Sequence, residues 1–322
     1  MINVYIISGF LGAGKTTFIQ KLLKEKSFNK VMLLENEFGE VGVDGAFFDS
    51  SLAIREINNG CICCSLQGDF DDALEEIEDM GVSDLLIEPS GVGKLSEIIN
   101  VIKGDADFRI VSHICIVDVK TCRKYHQNFK MYFDDQVKAA NAIILSHTDV
   151  GDEEQIAEAE KIVRALNAEA EIIKDPISEY SIEELMDIIV AGGTIMPEFD
   201  EEHDEHHEHH HDHEHEHHHH DHEHHHHHHG DDDDDDDEPF KNLILRPQYV
   251  FTKTELEDIF TDIPEDIIRI KGYVKGEGDT TLYFNYVLNE YHIFEGPYKP
   301  EALVSIIGTA INKEAFQEFF NA

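Results

Sequence analysis

Residues Gly9–Thr16 read GFLGAGKT. They follow a short apolar run, Val4–Ser8 (VYIIS), and precede a stretch of helical spacing, Lys15–Lys26. The pattern G-x-x-x-x-G-K-[ST] between a strand and a helix constrains the fold more than any other feature of the chain. Its glycines let successive backbone N–H groups curl around a phosphate at the positive end of the following helix. Gly9, Gly12, Ala13, Gly14, Lys15, Thr16 and Thr17 are therefore the expected nucleotide contacts. Lys15 would neutralise the β- and γ-phosphates, and the Thr16 hydroxyl would coordinate Mg²⁺.

The surrounding sequence supplies the sheet such a loop needs. Short apolar runs at Val31–Leu34, Leu52–Ile57, Asp84–Ile87, His113–Val117, Ala142–Leu145 and Ile172–Ile173 read as strands. Helical spacing appears at Leu66–Met80, from about Asp152 to Leu166, and at Ile182–Val190. Strands alternating with helices predict an α/β fold: a mainly parallel sheet with helices on both faces. This first part spans residues 1–197.

From Glu198 to Glu238 the composition changes. This segment holds nineteen of the 23 histidines and twenty acidic residues, with neither Lys nor Arg, and closes on an aspartate run, Asp231–Asp237. Such a stretch buries too little apolar surface to offset the entropy of ordering, so a disordered linker is expected. Neutral imidazoles interleaved with carboxylates suit loose binding of several transition-metal ions. Residues 239–322 then read as a small α+β domain. Strands are expected at Ile268–Val274, Leu282–Leu288 and Ala302–Ile307, with helices near Lys253–Phe260 and Lys313–Phe319.

The formal net charge is -43, which argues against nucleic acid and anionic membranes as partners. The first residues, MINVYIISGF, show no basic n-region, and no apolar run is long enough to span a bilayer. Five clustered cysteines do not read as a disulfide framework, and a cytoplasmic setting is the expectation.

Four further motifs carry chemistry. Leu85–Gly91 (LLIEPSG) is an apolar strand ending in an acid. Glu88 would hold a Mg²⁺-bound water or position the attacking water, and with Lys15 it is the catalytic pair expected here. Gly91 can approach the γ-phosphate. Glu35–Glu40 (ENEFGE) places Glu35, Glu37 and Glu40 at a strand end, as a switch segment near Mg²⁺ or a second metal would. Ile143–Asp149 (IILSHTD) offers Asp149 to the N1 and N2 of guanine, with Ser146 and His147 where many GTPases carry Asn and Lys. Finally, Asn58–Ser65 (NNGCICCS) packs Cys61, Cys63 and Cys64 into four positions. A disulfide is disfavoured by compartment, and a reactive thiol lacks a neighbouring histidine in sequence. C-x-C spacing can present two thiolates to one Zn²⁺ or Co²⁺.

GFLGAGKTT, ENEFGE, GCICC, IEPSG and SHTD, in that order, resemble the CobW family of P-loop GTPases, relatives of the HypB and UreG nickel chaperones. The resemblance covers Met1 to about Pro197. It extends more weakly to the last domain through RIKGYV and its place after a histidine-rich linker. It implies a GTPase that loads or delivers a transition metal to a client metalloprotein. GTP and Mg²⁺ are then the cofactors, and Zn²⁺ is favoured over Co²⁺ or Ni²⁺ as cargo. The resemblance also implies thiolate ligands at Cys61, Cys63 and Cys64, nearby acids at Glu35, Glu37 and Glu40, and an E-x-x-G match at Glu88 and Gly91. SHTD departs from the family's N/T-K-x-D. Two rival readings are a metal buffer with accessory nucleotide binding and a small-molecule kinase.

Overall fold

The N-terminal apolar run becomes β1 (Ile2–Gly9) in a computed structural model that describes residues 1–26, 28–37, 53–58, 67–191, 240–278, 280–287 and 290–321. Around it lie β2 (Val31–Glu37), β3 (Ala53–Asn58), β4 (Asp84–Glu88), β5 (Phe108–Asp118), β6 (Ala142–Ser146) and β7 (Glu171–Ile173). The order is β3-β2-β4-β1-β5-β6-β7, and every neighbouring pair is parallel. The chain thus leaves β1 for one side of the sheet and later crosses to the other. The carboxyl ends of the strands flanking that reversal form the crevice where such sheets bind ligands.

Alternation along the strands sends apolar residues to both faces, as burial on both sides requires. Tyr5 and Ile7 of β1, with Ile114 and Ile116 of β5, pack against α1 (Lys15–Glu25) and α7 (Ile182–Ala191) through Phe18, Ile19, Leu22, Leu185 and Ile189. On the opposite face Val4 and Ile6 are fully buried, and α3 (Leu95–Lys103) and α5 (Lys130–Ala139) contact β5. Between α3 and α5 the chain also forms α4 (Cys122–Asn128). The remaining helices are α2 (Gln67–Asp79) and α6 (Glu153–Leu166), the latter started by a capping box from Asp152 to Gln155.

Three helices stand where the sequence reading placed none. In α3, Leu95, Ile98, Ile99 and Ile102 do carry helical spacing. In α4 and α5 the buried set includes Cys122, Tyr125, Asp134 and Gln136, and this polar mixture hides the stripe.

His113 on β5 is buried completely, and burial pushes its pKa down to about 4. Unfolded, it takes a proton near pH 6.5; folded, it resists until about pH 4. Its neutral form therefore contributes stability that is complete above pH 6.5 and is lost as the pH falls toward 4. The full loss is about 3 kcal/mol. Urea melts at pH 7.5, 5.5 and 4.5 should show a shallower fall for His113→Leu than for the wild type. Equal falls contradict this assignment.

After residue 239 the chain builds a second sheet. Its strands are β8 (Lys241–Leu245), β9 (Val250–Phe251), β10 (Ile267–Gly276), β11 (Thr281–Val287), β12 (Glu290–Gly296) and β13 (Leu303–Gly308). The order is β12-β11-β10-β13-β8, antiparallel throughout, with β9 pairing parallel to β10. One face, including Ile270, Val274, Phe284, Tyr286, Val304 and Ile306, packs on α8 (Lys253–Thr261) and α9 (Lys313–Phe319) through Leu256, Phe260 and Phe316. The α8 start is a T-x-x-E capping box, Thr252 with Glu255. Of the expected Leu282–Leu288 and Ala302–Ile307 runs, residues 282–287 lie in β11 and 303–307 in β13, Leu288 lies outside the described residues, and Ile268–Val274 falls within β10.

The two sheets belong to one compact unit. Phe240 sits 5.1 Å from Phe129 and 5.4 Å from Tyr132, ring centre to ring centre, and 6.3 Å from Phe10 of the glycine-rich loop. The histidine-rich segment lies outside the described residues, as do Glu40, Cys61, Cys63 and Cys64.

Candidate nucleotide site

The site is built at the carboxyl edge of the parallel sheet. β1 ends at Gly9, whose φ of 144° suits glycine, and a Cβ there would collide with the Ile116 carbonyl of β5. The loop then turns through Ala13 N–H to Phe10 O at 3.2 Å and enters α1 at Gly14. Lys15 opens the helix. Its buried ammonium donates to the carbonyls of Gly9 at 3.0 Å and Phe10 at 3.5 Å, so it is held inside the curl of the loop.

Two carboxylates face this loop. Glu35 of β2 and Glu88 of β4 are register partners on adjacent strands and are only 2% and 7% exposed. Thr16 Oγ1 donates to Glu88 Oε1 at 3.3 Å. Buried carboxylates are costly unless they meet cations or donors, and this pair sits beside a lysine and a helix N-terminus. A cavity of about 340 Å³ is lined by Gly12, Ala13, Gly14, Lys15, Thr16 and Thr17, with Glu35, Glu88 and Gly91. The structure thus gathers most of the residues expected from sequence around one space. Glu37 is the last residue of β2, and its side chain lies outside the described residues.

A second cavity of about 190 Å³ shares Gly14, Thr17 and His147 with the first. Exposed Asp149 lines it, together with Ser146 and Thr148. The Ser146 and Thr148 hydroxyls are buried with no hydrogen-bond partner among the described residues. Such groups are paired in most folded proteins, so their capacity here suits a polar ligand. His147 adopts a left-handed backbone (φ 58°), and its Nδ1 lies 3.1 Å from Asp118 Oδ1 at the end of β5. The Asp118 carboxylate holds the imidazole's pKa above the usual histidine range. An imidazole held by a carboxylate therefore occupies the place of the lysine in the usual motif.

Asp118 was missed in sequence, although its signal matches that of Glu88: an apolar strand, ICIVD, ending in an acid. Four other lining residues, Arg269, Asn285, His292 and Ile307, come from the second sheet, and no local pattern announces them. Cys115 and Cys122 are both buried, and burial pushes each thiol up to about 12. Neither is a thiolate near neutral pH.

A family model described as "CobW/HypB/UreG, nucleotide-binding domain" matches residues 3–174, more than half of the chain. The chain belongs to the CobW/HypB/UreG family. A second model, "Cobalamin synthesis protein cobW C-terminal domain", matches residues 240–322. Among curated relatives, the zinc chaperone YeiR of Escherichia coli is 37% identical over 157 residues, covering 46% of this chain and 47% of that protein. The zinc chaperone YjiA of the same organism is 33% identical over 185 residues, covering 53% and 56%. The chain spans about half the length of the curated relatives it matches. The crystal structure of Zn(II)-bound YjiA GTPase from E. coli aligns over 99% of this chain and 98% of that one, with 20% identity and a TM-score of 0.43. Among the described residues, no helix is long and apolar enough to cross a membrane.

Proposed function

We propose that this family member is a GTP-dependent metallochaperone, which binds a transition metal, zinc first, and couples its delivery to GTP hydrolysis. The observation that carries the reading is the joining of Lys15 and Thr16 to buried Glu35 and Glu88 at one sheet edge. β2 and β3 run out at that same edge, pairing Glu35 with Glu56 and Glu37 with Asn58. Cys61 follows only three residues beyond the end of β3, a reach of at most about 11 Å. In this reading the thiolate segment continues from a strand end beside the one that carries Glu35. The names of YeiR and YjiA as zinc chaperones support zinc as the first choice of cargo.

In this reading Asp149 takes the base, while the loop N–H groups and Lys15 take the phosphates. The Thr16 hydroxyl and the Glu35 and Glu88 carboxylates are hard oxygen donors of the kind Mg²⁺ accepts. Bound Mg²⁺ would supply charge neutralisation at the β- and γ-phosphates. Glu88 orients the attacking water. Loss of the γ-phosphate releases the segment after β2, loosens the Cys61, Cys63 and Cys64 site, and frees metal for a client metalloprotein. Residues 1–197 would form the GTPase domain, 198–238 a metal-collecting tether and 239–322 the C-terminal domain, working in the cytoplasm.

Turnover assays with GTP and with ATP test the reading. GTP hydrolysis to GDP and phosphate without any acceptor is expected. ATP turnover that requires a phosphate acceptor would instead make the chain a kinase.

A further inference from the structure

The phosphate cavity has a wall that the parallel sheet does not supply. Arg269 of β10, Asn285 of β11, His292 of β12 and Ile307 of β13 line it together with Lys15, Thr16, Glu35 and Glu88. Strand register explains why. Arg269 pairs with Val287 and Ile307, and Lys271 pairs with Asn285, so these side chains share one face of the second sheet. The alternate residues Ile270, Phe284, Tyr286 and Ile306 turn the other way, into the C-terminal core.

This face is seated closely on the glycine-rich loop. Val287 Cγ1 lies 2.9 Å from where a Cβ of Gly12 would stand, so a larger residue there would have to push the Val287 side chain aside. Lys120, two residues past the end of β5, pairs with Glu290 at the start of β12 at 2.6 Å. Phe240 packs against Phe10 at the base of the loop. Among the described residues, the second cavity, where Asp149 lies, is lined by none from the C-terminal sheet. The sheet therefore supplies part of the wall at the phosphate end of the site.

Charge decides what this wall does. A triphosphate brings more negative charge than Mg²⁺ and Lys15 neutralise together, and buried Glu35 and Glu88 add to the excess. Among the described lining residues, the side chains that are always cationic are Lys15 and Arg269. A guanidinium presents a planar fork that matches phosphate oxygens. The Asn285 side-chain oxygen is buried without a hydrogen-bond partner among the described residues. An amide turned about its last torsion offers its N–H groups to the same spot.

We propose that Arg269, supported by Asn285, contacts the terminal phosphate of the bound nucleoside triphosphate, so that the C-terminal sheet distinguishes triphosphate from diphosphate. This rests on the nucleotide reading of the cavity and gives the C-terminal domain a part in it. The sheet is then held most firmly against the loop while the triphosphate is intact.

Calorimetric titration of the full chain with a non-hydrolysable GTP analogue and with GDP, both with Mg²⁺, tests it. Arg269→Ala should lower affinity for the analogue by about tenfold or more while changing GDP affinity by less than about threefold. Asn285→Ala should move the ratio the same way by a smaller factor. Arg269→Lys keeps the charge but not the fork, serves if the alanine variant fails to fold, and should lower the ratio by about threefold. A folded Arg269→Ala or Arg269→Lys whose ratio equals that of the wild type overturns the inference. A wild type that prefers ATP fails the proposed function instead, and the ratio for an ATP analogue against ADP then decides this inference. A wild type that binds no nucleotide overturns both.

Discussion

Replacing Lys15 with alanine should lower GTP hydrolysis by about 100- to 1,000-fold, because one preorganised charge aimed at the phosphates is removed. The reason is geometric as well as electrostatic. Lys15 is buried in the curl of its own loop and held by the Gly9 and Phe10 carbonyls, so its ammonium reaches the phosphate cavity with little reorganisation. Losing it leaves two carbonyls to water and two buried carboxylates, Glu35 and Glu88, facing the nucleotide with less opposing charge. Phosphate-release kinetics check the rate, and a thermal melt checks that the variant remains folded. A folded Lys15→Ala that turns over GTP at the wild-type rate would remove the glycine-rich loop from the mechanism.

How much of this was legible in the sequence differs residue by residue. Lys15, Thr16 and Glu88 belong to local patterns whose spacing follows from a strand, a turn and a helix, and the structure brings them around one cavity. The central strands β1, β4 and β6 were readable because each is a short apolar run buried on both faces. α4 and α5 were not, since Gln136 and Asp134 are buried through polar contacts that periodicity cannot register: Gln136 Nε2 donates to the Gly91 and Gly93 carbonyls, and Asp134 meets His126 at 2.8 Å. Asn167 is similar. Its side-chain amide donates to the carbonyls of Val137, Lys138 and Ala140 and accepts from Glu169 and Ala170, tying the end of α5 to the start of β7 from a position that reads as an ordinary loop residue. Arg269 and Asn285 stayed hidden for a different reason. Their relation to Lys15 is set by the packing of two sheets, more than 250 residues apart in the chain for Arg269. His147 shows the converse: the sequence marks it as a departure, and only the structure supplies Asp118 as the group that holds it.

The second large effect concerns the thiolates. If the segment after β2 is ordered by the γ-phosphate, it completes the site at Cys61, Cys63 and Cys64, and metal affinity must depend on which nucleotide is bound. Linkage makes the dependence reciprocal: whatever factor GTP adds to metal affinity, metal adds to GTP affinity. A coupling of about 2 kcal/mol corresponds to roughly 30-fold. Converting all three cysteines to serine should abolish the tight site and the coupling with it, because hydroxyls are poor ligands for Zn²⁺. The histidine-rich tract would still take up metal loosely, so the tight site is best read in a chain lacking residues 201–229.

The most direct measurement is an anaerobic Zn²⁺ titration of that shortened chain, against a competing chelator, with a non-hydrolysable GTP analogue and Mg²⁺ and then with GDP and Mg²⁺. One tight site that binds at least about tenfold more strongly with the GTP analogue is the predicted result. Equal affinities in the two nucleotide states would contradict the coupling of metal release to GTP hydrolysis.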